Sequence, residues 1–129
     1  MFSLLQDWIE IEGAGSGDVI QSAPSWMRLT GYQDAIFWLD LRMLTTVSTE
    51  LTMHYETAPE LDPTLFRDMV TPFTLGGLVG PTPTIKNAFL SQHPLTPVSG
   101  LVRWHIAAIA GGLWKVHFRI HCMAKRPRA

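Results

Sequence analysis

The chain has 129 residues, the size of a single domain that can bury one two-layer core. Hydrophobic residues make up 47% and charged residues 16%, and five Trp and six Met add large, adaptable side chains, so extra surface is expected to be hidden against a partner. A net charge of −1 excludes a global field favouring nucleic acid or an anionic membrane, and the single Cys122 excludes an intramolecular disulfide.

The opening Met1-Phe2-Ser3-Leu4-Leu5 runs at once into Gln6, Asp7 and Glu10, which is neither a positive leader nor an export-length apolar stretch. Synthesis in the cytoplasm without a signal peptide or membrane span is therefore expected. Leu5–Glu12 reads as a strand, with Leu5, Ile9 and Ile11 on one face and Gln6, Trp8, Glu10 and Glu12 on the other. The glycine-rich stretch 13–17 is a turn. It is no phosphate cradle, because neither a Gly-Lys-Ser/Thr signature nor a helix follows. Asp18–Ser22 can form a short strand that ends before Pro24. Tyr32–Met43 alternates Ala35, Phe37, Leu39, Leu41 and Met43 with Asp34, Ile36, Trp38, Asp40 and Arg42, as a central strand does.

Glu50–Thr57 sets Leu51, Met53 and Tyr55 against Thr52, His54 and Glu56, and is expected to pair with the preceding strand as a hairpin. Pro59 and Pro63 end it, with a short helical turn expected within Pro63–Asp68. Met69–Leu75 and Thr84–Leu90 are further strands, the first placed at an edge or bulge by Pro72. After a proline-bearing connection, Leu101–Ala108 and the run from Trp114 both alternate. Trp114, Val116, Phe118, Ile120 and Cys122 face one way, and Lys115, His117, Arg119 and His121 the other. With Gly111 and Gly112 between them, these two runs predict a long antiparallel hairpin whose second strand is central. The expected fold is one all-β domain over 1–129, a jelly-roll-like antiparallel β-sandwich of about eight strands. A short N-terminal segment (1–5) and a basic C-terminal tail (125–129) flank it.

No catalytic, cofactor or metal constellation is read from the residues. His117 and His121 are four apart, but in a strand their Cα atoms stand about 13 Å apart, too far to share an ion. His105 is placed near one of them across the predicted hairpin. Asp34, Asp40, Glu56, Glu60, Asp62 and Asp68 show no spacing that pairs any two as acid and base, and no nucleophile elbow or zincin motif is present. The expectation is a binding or structural protein, not an enzyme. Trp8 and Trp38 lie on the more polar rows of their strands and are candidates for stacking on carbohydrate.

The stretches Tyr32-Gln-Asp-Ala-Ile-Phe-Trp-Leu-Asp-Leu-Arg42, His54-Tyr-Glu-Thr-Ala-Pro59, Leu101-Val-Arg-Trp104 and Gly112-Leu-Trp-Lys-Val-His-Phe-Arg-Ile120 resemble a group of small β-sandwich proteins encoded among the head genes of tailed bacteriophages. The resemblance implies a virion protein that decorates or cements the outside of the capsid. It implies contact with the major capsid protein and with copies of itself, as a trimer or dimer, and no catalytic residues. Candidate contact residues are Met1, Phe2, Leu4, Leu5 and Trp26, with Lys125, Arg126 and Arg128 of the tail supplying a salt-sensitive supplement. A carbohydrate-binding module using Trp8 and Trp38 is the alternative.

Overall fold

The computed structural model describes residues 2–32, 34–46, 50–69, 71–75, 84–89, 99–109 and 112–126. Its strands are β1 (Phe2–Ala14), β2 (Gly17–Ile20), β3 (Met27–Arg28), β4 (Asp34–Thr46), β5 (Leu51–Ala58), β6 (Arg67–Asp68), β7 (Phe73–Thr74), β8 (Thr84–Phe89), β9 (Leu101–Ala108) and β10 (Leu113–Lys125). Short 3-10 turns occupy Ala23–Ser25 and Pro63–Leu65, the second inside the stretch where a helical turn is expected. Among the described residues no helix is long and apolar enough to cross a membrane.

Every pairing is antiparallel. One sheet runs β1-β10-β4-β8, and the other runs β2-β9-β5-β6, with β3 also on β9 and β7 also on β5. β2 and β3 share one flank of β9, and β6 and β7 share one flank of β5, so each pair is a single edge position broken in two. Counted that way the described residues occupy eight positions, and the sheets read first-eighth-third-sixth and second-seventh-fourth-fifth. This is the double-sheet wrapping of a jelly roll.

The wrapping overturns both predicted hairpins. β9 and β10 lie in opposite sheets and pair with β5 and with β1 and β4 respectively, while β4 and β5 are likewise separated. Alternation shows only that each strand has one dry row, and two dry rows can meet face to face across a core as well as side by side in a sheet. The central position of β10 does hold, since β1 and β4 flank it. Pro72, which cannot donate to a ladder, falls between the edge fragments β6 and β7. Residues 76–83 and, of the expected proline-bearing connection at 91–100, residues 91–98 lie outside the described residues.

The core is the space between the sheets. Phe37 stacks on Tyr55 at 4.4 Å, and Trp104 meets Phe118 edge-on at 5.1 Å, each pair joining one sheet to the other. Trp114, Phe118, Ile120, Trp104, Phe37 and Leu39, on the dry rows of their strands, are all buried. One detail of the expected alternation fails. A bulge between His117 and Phe118 sets Leu41 opposite Phe118 and Met43 opposite His117, so Leu44, not Met43, takes the next buried position on β4.

Gln21, just past β2, ties the sheets together at their edge. Its backbone N–H donates to the Trp104 carbonyl at 3.1 Å, and its side-chain Oε1 accepts from the Trp104 N–H at 3.2 Å. Its Nε2 donates to the carbonyls of Leu5 at 2.6 Å and Ser25 at 3.0 Å. Trp104 reinforces the link by donating its indole N–H to Gln6 Oε1 at 3.0 Å.

Two stability effects are expected from this packing. Phe118→Ala removes a ring with no exposed surface and should cost about 3–5 kcal/mol. Gln21→Leu keeps the volume but strands the Leu5 carbonyl and the Trp104 N–H, which at about 1–3 kcal/mol per buried unpaired group predicts a loss of about 2–6 kcal/mol. Equilibrium urea unfolding measures both. A Gln21→Leu protein as stable as the wild type would show that the link is dispensable.

Candidate functional site

Two outward-facing polar surfaces, one on each sheet, carry the side chains capable of chemistry. On the first sheet, His117, Arg119 and His121 of β10 project between β1 and β4. Arg119 Nε donates to Asp40 Oδ2 at 3.0 Å, on a carboxylate that is mostly buried. The guanidiniums of Arg119 and Arg42 lie 4.5 and 4.6 Å from the Trp8 ring, and His117 meets the same ring edge-on at 5.2 Å. At the far end of β10, His121 stacks on Phe2 at 5.5 Å. Phe2, Trp38, Asp40, Arg119 and His121 line an open cavity of about 300 Å3.

The outer face of the second sheet carries a tighter network. Register places His54 of β5 directly opposite His105 of β9, and Glu56 opposite Arg103. The two imidazoles stack at 4.8 Å. His54 Nδ1 lies 2.9 Å from Asp68 Oδ1, and His105 Nδ1 lies 3.3 Å from Glu56 Oε2. Arg103 Nε donates to Glu56 Oε1 at 2.8 Å. Phe66 and Trp26 cover that guanidinium at 3.7 and 5.0 Å, burying it although it sits on an outer face. Both rings belong to a small second core with Ala58, Leu65 and Leu101, built where the two 3-10 turns fold over the sheet.

Burial alone would raise the Glu56 carboxyl, but hydrogen bonds from His105 and Arg103 outweigh it and hold the group below its ordinary value. The Glu56 hydrogen bond raises His105 above its ordinary value, against the opposing effect of burial. Cys122 has no exposed surface, and burial pushes its thiol up to about 12, which removes it as a nucleophile near neutral pH. Burial also raises the Tyr55 hydroxyl far above the ordinary phenolic range.

The predicted site residues fall in different places. Phe2 and Leu4 are exposed, but they belong to β1 and pair with Met123 and His121, so residues 2–5 are strand and not a loose arm. Leu5 is 3% exposed and belongs to the core, which takes it out of reach of a partner. Trp26 is half-buried: its indole N–H donates to the Gln21 carbonyl at 2.7 Å and its ring meets Phe66 at 4.8 Å, so it anchors the second core and is not a free contact. Lys125 closes β10 opposite Asp34, and Arg126 lies 5.1 Å from the Tyr32 ring. Met1 and Arg128 lie outside the described residues. Of the two carbohydrate candidates, Trp8 has its ring engaged by the two guanidiniums, whereas Trp38 borders the cavity. His105 is brought to His54 and Glu56, not to His117 or His121, because β9 and β10 do not pair.

The second network was missed by sequence reasoning, although its rows Thr52, His54, Glu56 and Arg103, His105 are both visible. Only the pairing of β5 with β9, 47 residues apart at Glu56 and Arg103, unites them. No protein-family model, curated protein or solved structure matches the chain.

The Glu56–His105 couple has a signed pH dependence. The depressed Glu56 contributes stability above its ordinary value of 4.5, lost as pH falls through its folded value. The raised His105 contributes stability fully below its ordinary value of 6.5, lost as pH rises through its folded value. The stability difference between wild type and His105→Gln is therefore expected to be largest between pH 4.5 and 6.5 and to shrink towards pH 8. Urea unfolding midpoints across that range measure it, and a difference that grows with pH contradicts the couple.

Proposed function

We propose that this protein is a non-catalytic structural component of a larger assembly, a capsid-decorating or cementing protein of the tailed-phage type, acting in many copies through side-chain contacts. The observation that carries this reading is the placement of the exposed large apolar residues. Phe2 and Leu4, 61% and 40% exposed, stand at one end of the β1–β10 pair, and Leu113, 65% exposed, stands at the other. Ile109, just past β9, Ile20 at the end of β2 and Leu61 before the second 3-10 turn are exposed as well. At about 3.3 Å per residue, the thirteen residues of β1 separate these ends by roughly 40 Å. A molecule with one apolar contact can form a pair, but one with a contact at each end can bridge two neighbours, as cement on a lattice must. Repetition then turns modest single contacts into durable attachment.

Further support comes from the architecture, since jelly rolls recur in viral coat proteins, although they also recur in lectins and fold alone does not assign function. The Leu113 end adds a mainly apolar hollow of about 550 Å3 bordered by Gly13, Ala14, Thr45 and Trp114. A Cβ on Gly13 would fall 2.6 Å from the Trp114 ring, so glycine is required for that ring to lie across β1. The carbohydrate reading is favoured by one feature, the cavity that joins the Trp38 and Phe2 rings to the polar groups of Asp40, Arg119 and His121.

Co-sedimentation with purified capsids across a salt series tests the proposal. Phe2→Ser with Leu4→Ser, and separately Ile109→Ser with Leu113→Ser, should each weaken binding at all salt concentrations, because apolar contact is not screened. Deleting Lys125–Ala129 should weaken binding modestly and reduce its salt dependence. A strictly monomeric protein that ignores shells at every salt concentration, but binds oligosaccharide in a Trp38-dependent way, would replace this reading with the carbohydrate one.

A further inference from the structure

We propose that the outer face of the second sheet holds a divalent transition-metal site of the zinc type, with His54, Glu56 and His105 as protein ligands and Asp68 as the residue that orients His54. The proposal is independent of the assembly reading above. Two imidazoles and a carboxylate form a donor set suited to zinc, cobalt or nickel, and ill suited to calcium or magnesium, which prefer oxygen alone.

The geometry supports it at three points. First, one ligand atom from each of the three residues lies within 4.8 Å of the others, in a sheet whose register fixes them on one face. Second, two ligand atoms on a tetrahedral ion with bonds of about 2.0–2.1 Å stand about 3.3–3.4 Å apart. His105 Nδ1 and Glu56 Oε2 are already 3.3 Å apart, longer than the 2.7–2.9 Å or so of a strong charge-assisted hydrogen bond and matched to two corners of one coordination sphere. His54 offers a ligand nitrogen within 4.8 Å of the other two residues, and closing the set requires its ring to turn out of the stack on His105. Third, the outer groups are arranged as they are around bound metals. Asp68 Oδ1 takes the Nδ1–H of His54 at 2.9 Å, which leaves the lone pair on Nε2, where an ion would displace the Thr52 hydroxyl 3.3 Å away. Arg103, held beneath Phe66 and Trp26, fixes Glu56 by Oε1 and leaves Oε2 available.

Asp18 lies on the other nitrogen of the His105 ring, its Oδ1 3.4 Å from Nε2, and its carboxylate is more than half exposed. It can steady that ring from outside the coordination sphere, which leaves the fourth position to solvent. The nearby Arg103 cation opposes a second positive charge, so the site is expected to be weaker than a four-ligand structural zinc site.

The test is zinc titration of the full-length protein by calorimetry after removal of adventitious metal with a chelator. Expected are saturable one-to-one binding, a rise in melting temperature on saturation, and visible d–d absorption when cobalt replaces zinc. His54→Gln, His105→Gln and Glu56→Gln should abolish saturable binding, and Asp68→Asn should weaken it by about 10–100-fold, as loss of an outer-shell partner does. The double variant His117→Gln, His121→Gln should bind as the wild type does. In case a ligand variant does not fold, imidazole NMR of the wild type gives a second readout, with zinc perturbing His54 and His105 and leaving His117 and His121 unchanged. Absence of saturable zinc binding, calcium binding as tight as zinc, survival of binding in folded His105→Gln, or perturbation centred on His117 and His121 would each overturn the site.

Discussion

The structure depends on the junction at Gln21, where a single buried amide holds three parts of the chain at once. Two sheets pressed together by apolar contact can still slide, because hydrophobic attraction has no direction. Hydrogen bonds do have direction, and those of Gln21 fix β1 of one sheet against β9 of the other through the Leu5 carbonyl and the Trp104 N–H. Trp104 then points its indole into the core against Phe118 while its ring N–H reaches Gln6. The relative position of the sheets is thereby set at one edge, and the stacked Phe37 and Tyr55 rings extend it into the interior.

That dependence explains what the sequence could and could not tell. The dry rows of β4, β5, β9 and β10 were legible as alternation, and with them the fold class and most of the core. Which strand neighbours which was not legible, because a jelly roll sends nearly every consecutive pair of strands to opposite sheets. Alternation is the same whether a dry row faces its chain neighbour across the core or lies beside it in one sheet. The bulge near Arg42 defeated a strict period-two reading for a related reason, since one extra residue reverses every later side chain. Leu5 was legible on the apolar row of its strand, whereas the structural use of Trp26 required knowledge of Gln21. The meeting of His54 with His105 required the β5–β9 register.

The two outer faces treat charge in contrasting ways. On the first sheet, Arg42 and Arg119 spread over Trp8 at the surface, where the cations keep part of their hydration. On the second, Arg103 is buried on one side by Phe66 and Trp26 and paired on the other with Glu56. A cation removed from water to that degree must be matched by a fixed anion. The two 3-10 turns, which look like minor connections, therefore determine how firmly the carboxylate at the centre of that face is held.

β1 is the edge of its sheet, and its pairing with β10 is irregular between Leu4 and Gln6 and again between Gln6 and Ile9. An edge strand with an unbroken ladder invites another chain to extend the sheet, and irregularities remove that invitation. Near its bulged portion β1 also has the Leu5 carbonyl already taken by Gln21. Over the irregular residues 2–9 a neighbour is therefore held more readily by side chains such as Phe2 and Leu4 than by backbone, whereas Ile9–Ala14 keeps a regular register with β10. Association through side chains can be strengthened or weakened one substitution at a time while the sheet that presents them stays intact.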